Sequence, residues 1–308
     1  MKIYLIFISF IFLGFFWGKP DYSKAELILK EMEKSLSEGD CASVWEKYEE
    51  FSAQKPPQKM KKKSYLYSAQ CYERYGSYEK ALSIYKLGME LYPKDLIFMK
   101  KAADLYLKNS IYQKALDLGL KLEKENPHDQ ENWLLLARSY GGTGFWRKSV
   151  YYYRKTAALN LKNYDLVKEY STALKKGAFY KEGYGLAIKA AQESHDADFY
   201  ILAAEISALS GDLSKALVLL SELSESGKCS LKCHKMKAVY CLFTNRYDSA
   251  KKELDFIEED KAFYYFISGL LDLREGKSSA KDKFLKSSFL GEGFIKKASQ
   301  EMISEGDK

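Results

Sequence analysis

The chain has 308 residues, of which 46% are hydrophobic, 30% are charged and only 5 are proline. This length and hydrophobic content suffice for a large core, and no long low-complexity segment interrupts the sequence, so a mostly disordered chain is excluded. The formal net charge is +7, but basic residues alternate with acidic ones along most of the chain, and this mixture argues against nucleic-acid binding.

Residues 1–20 have the composition of an export signal. Lys2 is followed by an apolar run from Ile3 to Trp17, and Lys19 and Pro20 end it. The run is shorter than the roughly 20 residues that a membrane-spanning helix needs. We therefore expect either a cleaved signal peptide or an uncleaved anchor that associates with a membrane through residues 1–20. In both cases the rest of the chain is expected to be exported, into a bacterial periplasm or onto the cell envelope.

Residues 21–54 are predicted to form an N-terminal helical hairpin. Apolar positions in residues 25–36 and 44–51 have helical spacing, and Gly39 lies between the two stretches. An insert, Lys55-Pro56-Pro57, separates this hairpin from the next segment. The basic run of Lys59, Lys61, Lys62 and Lys63 that follows is either a solvated helix start or a contact for anionic lipid head groups.

Residues 62–163 contain three units that repeat every 34 residues. The positions in register are Ala69, Ala103 and Ala137; Tyr72, Tyr106 and Tyr140; Gly76, Ser110 and Gly144; and Ala81, Ala115 and Ser149. In the first of these repeats, small and apolar residues from Tyr65 to Tyr72 lie on one face of a helix, and a second helix runs from about Tyr78 to Pro93. The small residues mark close approaches between helices. Because one helix pair cannot bury both of its faces, neighbouring pairs are expected to stack.

This unit, with a small residue, an aromatic three positions later, a turn residue, a second small residue and a terminal proline, resembles the tetratricopeptide repeat. The resemblance implies an all-α solenoid, a right-handed superhelix of stacked antiparallel helix pairs, and no alternating apolar run argues for a sheet. It continues more weakly through residues 164–290 and leaves residues 291–308 as a C-terminal capping helix and tail. One departure is Gly119, which stands where the pattern has a large residue. We expect about eight helix pairs, with turns near Gly39, Gly76, Ser110, Gly144, Gly177, Gly211, Asn245 and Gly276.

The resemblance also implies a partner-binding groove, because the first helices of such repeats line a concave surface with fixed positions of each unit. In the clear repeats these positions hold Lys63, Leu66, Gln70 and Glu73; Ile97, Lys100, Asp104 and Leu107; and Glu131, Leu134 and Arg138. The family's carboxylate clamp uses a lysine and an asparagine where this chain has Leu66 and Gln70, so that clamp is not supported.

Toward the C-terminus the groove positions become apolar, namely Ile201, Val239, Leu242, Phe263, Phe266 and Leu270. A soluble solenoid does not leave such a stripe in water without a reason. Two interpretations remain open. Either the last helix, near Phe294 to Ile303, folds back as a cap, or an amphipathic helix or extended segment of a partner binds there.

The chain has five cysteines, which is an odd number for a protein that is expected to be exported into an oxidising compartment, where cysteines can pair as disulfides. Cys71 and Cys241 lie beside packing residues on helix faces, and we interpret them as buried thiols. The group of Cys229, Cys233 and His234 allows metal ligands, a local disulfide or ordinary residues at a helix start. Zinc sites usually have a tighter thiol pair and a second matching pair, so we expect no metal and no cofactor.

No catalytic motif is found: there is no nucleophile elbow, phosphate-binding glycine loop or metalloprotease helix motif. We therefore expect a non-enzymatic, exported scaffold that binds another protein or a peptide of the cell envelope in a concave groove. One alternative is a structural subunit or assembly factor of an envelope complex that docks by its convex face. Another is a solute- or glycan-binding module, which would need a closed pocket with converging polar groups.

Overall fold

The computed structural model describes residues 22–157 and 163–306. Every regular element in these ranges is a helix, and the ranges contain no strand. The chain divides into two compact units, Met1–Gly144 and Phe145–Lys308. The predicted export signal at residues 1–20 lies outside the described residues. Within the described ranges, no helix has both the length and the apolarity needed to cross a membrane.

The first unit contains seven described helices, each packed against the next. They are α1 (Ser23–Glu38), α2 (Cys41–Ala53), α3 (Gln58–Arg74), α4 (Tyr78–Leu91), α5 (Ile97–Lys108), α6 (Tyr112–Glu125) and α7 (Gln130–Gly142). Helix α1 also contacts α3, and α5 contacts α7. Contacts limited to the nearest and next-nearest helices are the pattern of stacked helical repeats.

The second unit, taken by itself, has the same kind of arrangement over ten described helices. They are α8 (Trp146–Ala157), α9 (Tyr164–Lys176), α10 (Tyr180–Ser194), α11 (Ala197–Leu209), α12 (Leu213–Glu225), α13 (Leu231–Phe243), α14 (Tyr247–Leu254), α15 (Lys261–Arg274), α16 (Ser279–Leu290) and α17 (Gly293–Gly306). Alternate helices again touch, α9 with α11, α13 with α15 and α15 with α17. The predicted all-α solenoid class is therefore confirmed.

Small side chains lie where the helices approach most closely. The alanines predicted to be buried, Ala69, Ala103, Ala137, Ala204 and Ala238, are all 0% exposed. Gly119 serves the same purpose on α6, because a Cβ atom there would lie 2.7 Å from a methyl carbon of Leu135. The departure from the repeat pattern at Gly119 thus makes room for a large residue on the neighbouring helix.

Most of the predicted turns fall at residues with positive φ. Gly39, Gly76, Ser110, Gly144, Gly211, Asn245 and Gly276 all adopt this conformation. The exception is Gly177, which follows the last residue of α9 and has φ −80°. The next residue, Ala178, adopts the left-handed conformation instead, with φ 63°. The turn is therefore displaced by one residue, in a repeat whose register is already degenerate in the sequence.

Aspartate side chains cap several of the helices that open a repeat. Asp129 accepts hydrogen bonds from the backbone N–H groups of Glu131 and Asn132, and Asp260 accepts one from Phe263. The second carboxylate oxygen of each cap binds a lysine of the preceding repeat, Lys100 for Asp129 and Lys235 for Asp260. Each of these carboxylates therefore ties a helix start to its neighbour in the stack.

Four of the five cysteines form disulfides, which corrects the interpretation from the sequence. Cys71 is bonded to Cys41, so it is not a free buried thiol, and the bond links the start of α2 to α3. Cys229 is bonded to Cys233, the local disulfide among the three alternatives for that group. Cys241 is a free buried thiol, as predicted.

Candidate functional site

The second unit contains an apolar cleft of about 690 Å³ between α13, α15 and α17. This volume lies within the range of roughly 300–1,000 Å³ that is usual for binding sites in proteins. The lining residues are Val239, Leu242, Phe243, Tyr247, Phe263, Phe266, Ile267, Leu270, Leu273, Arg274, Phe294, Ile295 and Met302. Among these residues Arg274 is the only one with a formal charge.

Helical spacing brings these side chains together. Phe263, Phe266 and Leu270 are three and four residues apart, so they lie on one face of α15. Val239 and Leu242 have the same spacing on α13. All five were predicted as groove positions from the sequence, and all five line the cleft.

Ile201, the sixth residue of the predicted apolar stripe, requires a correction. It is only 3% exposed and belongs to a core cluster with Ala187, Leu220 and Leu223. Helix α11 is hydrophobic around most of its circumference, and neighbouring helices bury it. Ile201 therefore stabilises the second unit and offers no surface to a partner.

The last helix covers one side of the stripe without filling the cleft. Helix α17 packs mainly on α16, where the hydroxyl of Ser299 donates to that of Ser287 at 2.9 Å in a buried contact. Ile295 and Met302 face the cleft, while Phe266 and Leu270 stay half-buried. The cap of the first interpretation is therefore present, and an apolar opening remains beside it. Binding of a partner segment there, the second interpretation, stays a prediction.

The charges next to the cleft are unevenly balanced. Lys235 lies 5.2 Å from the ring centre of Phe263, but its ammonium group is paired with Asp260. Arg274 is exposed and makes no hydrogen bond or ion pair with the part of the chain that the structure describes. Its chain neighbour Glu275 is engaged by Lys251 and Lys277. The cleft therefore has one uncompensated positive charge.

The predicted groove positions of the first unit lie on α3, α5 and α7, and they carry mixed charges. Lys63, Asp104, Glu131 and Arg138 are exposed, and the remainder, Leu66, Gln70, Glu73, Ile97, Lys100, Leu107 and Leu134, are half-buried. Several of the charged groups already have partners within the unit. Lys100 binds Asp129 and lies 3.6 Å from Glu131. These internal pairs neutralise much of the surface.

Two carboxylates of this first-unit surface have distinct environments. Glu73 accepts a hydrogen bond from the hydroxyl of Tyr85 and lies 3.5 Å from the ammonium of Lys108. Desolvation by the surrounding protein raises the pKa of the Asp104 carboxyl, although Lys101 and Lys108 oppose the effect. Asp104 itself is exposed on α5.

A buried ionic cluster lies elsewhere in the second unit. Nδ1 of His234 is 2.6 Å from one oxygen of Glu253, and Nζ of Lys237 is 2.7 Å from the other. Phe256 stacks on the His234 ring at 4.3 Å. All three side chains are largely buried, and the two contacts satisfy both oxygens of the Glu253 carboxylate inside the unit. The described residues hold no group of three or more His, Cys, Asp or Glu side chains arranged for a metal ion.

Sequence reasoning missed part of the cleft. Leu273 and Arg274 continue the face of α15 by one more turn, and extending the spacing from Phe263 would have identified them. Phe243 and Tyr247 lie at the turn between α13 and α14, where repeat positions carry no groove assignment. Met302 was considered only as part of a cap, because its place opposite α15 depends on how α17 folds back.

Comparisons with known proteins support the fold alone. No protein-family model matches the chain, and no curated protein matches it by sequence. Among solved structures, a tetratricopeptide repeat protein from Parabacteroides merdae is 17% identical, with a TM-score of 0.56 over 82% of this chain and 98% of that protein.

Two other solved structures are similar over shorter lengths. PilF from Pseudomonas aeruginosa is 16% identical, with a TM-score of 0.50 over 67% of this chain and 96% of that chain. MamA from Desulfovibrio magneticus is 16% identical, with a TM-score of 0.50 over 56% of this chain and 96% of that chain. Together with the stacked helix pairs and the 34-residue register, these similarities establish that the chain has the all-α fold of tetratricopeptide-repeat proteins.

Proposed function

We propose that the protein is an exported, non-enzymatic scaffold that binds a segment of another protein in the apolar cleft of its second unit. The observation that carries this proposal is the exposure of large apolar side chains at the edge of the cleft. Phe243 is 75% exposed and Phe294 is 78% exposed. Apolar patches that adjoin a formed cleft mark interaction sites, because their burial against a partner releases ordered water.

The chemistry of the lining supports binding over catalysis. The cleft offers Arg274 and the Tyr247 hydroxyl as its polar side-chain groups. General acid–base or nucleophilic catalysis needs a titratable pair or an activated nucleophile within hydrogen-bond reach of the substrate. A preformed apolar surface, by contrast, lowers the ordering cost of association and suits a scaffold.

Two features support export as part of the proposal. The first is the signal-like composition of residues 1–20, with Lys2 before a long apolar run. The second is the pair of disulfides, Cys41–Cys71 and Cys229–Cys233. Disulfides persist in oxidising compartments outside the cytoplasm and are rare inside it.

The test uses the chain without residues 1–20, and variants of it, to capture protein partners from envelope extracts. Phe266→Asp places a carboxylate in the cleft and should abolish capture of the proteins that bind wild type. Because Phe266 is half-buried, Phe243→Asp at the exposed edge of the cleft is the second variant, and it should abolish capture with a melting temperature close to that of wild type. The matched control is Phe289→Asp on α16, because Phe289 is 88% exposed and lies outside the cleft. Capture that survives Phe266→Asp would contradict the assignment of the cleft.

The surface around Phe289, the residue chosen as control, supports a second candidate function. Leu285, Phe289 and Leu290 are all exposed on α16 and form an apolar surface outside the cleft. This surface suits the alternative of a subunit or assembly factor that docks by an outer face. Loss of capture with Phe289→Asp, and not with Phe266→Asp, would favour that alternative.

A further inference from the structure

The cleft combines an extended apolar lining with one uncompensated cation. On α15 the lining runs from Phe263 to Arg274, a span of about 16 Å at the helical rise of about 1.5 Å per residue. Lys235, a cation that lies against Phe263 of the lining, is neutralised by Asp260. Glu275 is held by Lys251 and Lys277 and leaves Arg274 unpaired among the described residues. A complementary ligand is therefore apolar along most of its length and negative at one end.

We propose that the occupant of the cleft is an amphipathic helix of the partner protein, with an apolar face that ends in an acidic side chain paired with Arg274. This inference rests on the proposed function and specifies the ligand of the same site. The guanidinium group of an arginine can bind a carboxylate through two parallel hydrogen bonds, which fixes the direction of the helix as well as adding affinity.

The lining favours a helix over an extended peptide. An extended segment would place its backbone N–H and C=O groups against the apolar side chains of α13 and α15, and burial of an amide without a hydrogen-bond partner is unfavourable. The cleft supplies only Arg274 and Tyr247 as side-chain partners for such groups. A helix satisfies its own backbone and presents only side chains to the lining.

The edge of the cleft favours a macromolecule over a small amphiphile such as a fatty acid. A chain of that kind would lie within the cleft and leave Phe243 and Phe294 in water, where they are 75% and 78% exposed. A helix that lies along α15 is wide enough, at about 10 Å across with its side chains, to cover the edge residues as well.

The experiment measures binding of two labelled amphipathic peptides to the mature chain by fluorescence anisotropy. The peptides share leucine anchors at helical spacing and differ only in the residue one turn beyond the last anchor, which is glutamate or lysine. Wild type should bind the glutamate peptide at least about tenfold more tightly. Arg274→Gln should remove this preference, and Arg274→Glu should reverse it. Arg246→Glu is the matched control, because Arg246 is exposed and does not line the cleft.

Three outcomes would overturn the inference. Equal affinities of the two peptides for wild type would remove the role of Arg274. Absence of binding by both peptides would exclude the helix, and palmitate binding that depends on Phe266 and Arg274 would assign the cleft to an amphiphile. The proposed function is judged separately, since protein capture that is lost with Phe266→Asp stands even when both peptides fail.

Discussion

Ala103 is the residue at which the repeat pattern and the packing can be compared most directly. It is 0% exposed and packs with Leu122 and Leu135 in one core cluster of the first unit. Three additional carbon atoms at this position have no space unless the surrounding helices move apart. The requirement for alanine is therefore steric, as the 34-residue register indicates.

We expect Ala103→Leu to lower the free energy of unfolding by about 1–3 kcal/mol, because it overpacks this contact. Urea denaturation monitored by circular dichroism measures the change. Ala42→Leu is the control, since Ala42 is exposed on α2 and the same substitution there should change stability by less than about 0.5 kcal/mol. Unchanged stability of Ala103→Leu would show that the helices separate without cost.

Glu205 is a residue whose charge links three helices. Partial burial raises the pKa of its carboxyl, but hydrogen bonds from Lys175 on α9 and Lys232 on α13 outweigh burial and hold the pKa below its ordinary value. A carboxyl whose pKa is lower in the folded state stabilises the protein above the unfolded-state pKa, near 4.3. That contribution disappears as the pH falls through the folded-state pKa.

We therefore expect Glu205→Gln to lose about 1.5–3 kcal/mol of unfolding free energy at neutral pH, since it removes two charge-assisted hydrogen bonds. The difference from wild type should shrink as the pH falls below about 4, because wild type then becomes neutral at this position too. Urea midpoints at several pH values measure both effects. Glu301→Gln, in an exposed pair with Lys297, should show almost no difference at any pH. A difference that stays constant down to low pH would argue against the ion pairs.

At the scale of the element, the aspartate caps hold successive helices in register. Asp129 begins α7 by accepting hydrogen bonds at 3.1 and 3.4 Å, and its other oxygen binds Lys100 on α5. Burial raises the pKa of Asp129, but the hydrogen bond from Lys100 and those from the backbone amides outweigh it and lower the pKa overall. One side chain thus satisfies a helix start and joins two repeats.

The two roles of Asp129 can be separated by substitution. Asp129→Ala removes both, and we expect a loss of about 1–2 kcal/mol of unfolding free energy. Asp129→Asn keeps a cap of similar quality and loses only the charge of the pair, so its cost should stay below about 1 kcal/mol. Urea denaturation of both variants distinguishes these values. Equal destabilisation by alanine and asparagine would mean that the lysine contact, rather than the cap, is the main contribution.

The accuracy of prediction from sequence depended on whether a feature is local. Ala69 and Gly76 belong to local helix and turn patterns, so the register predicted their burial and conformation. The turn beside Gly177 moved to Ala178, because a degenerate repeat gives a weaker signal for the helix end. The Cys41–Cys71 bond spans 30 residues and depends on how α2 and α3 meet, which periodicity does not specify.

In the candidate cleft, too, local features could be predicted from the sequence and features that depend on how helices pack could not. Phe263, Phe266 and Leu270 could be assigned to one face from their spacing alone, whereas the burial of Ile201 depends on the helices around α11. The opening beside α17 is a property of how a terminal helix packs on α16 and α15. An amphipathic sequence predicts that such a helix docks, but it does not predict which apolar surface remains uncovered.

At the scale of the whole molecule, the state of the cysteines connects the fold to its compartment. The structure pairs four cysteines and leaves Cys241 free and buried, where burial raises the pKa of its thiol. A protein that folds in a reducing cytoplasm would keep all five as thiols, whereas one exported to an oxidising compartment would retain one. The number of free thiols in the denatured chain is therefore a measure of where the protein folded.

We expect protein isolated from the envelope and denatured without reductant to accept one maleimide-polyethylene glycol label, at Cys241, and to accept five after reduction. The shift in electrophoretic mobility counts the labels. A Cys241→Ala variant should accept none before reduction and four afterwards, which assigns the single thiol.

The same chain produced in the cytoplasm without residues 1–20 should accept five labels before reduction, because glutathione keeps its thiols reduced. Five labels on the unreduced envelope protein would contradict both disulfides and would remove their support for export, whereas three would show that only one of the two bonds forms.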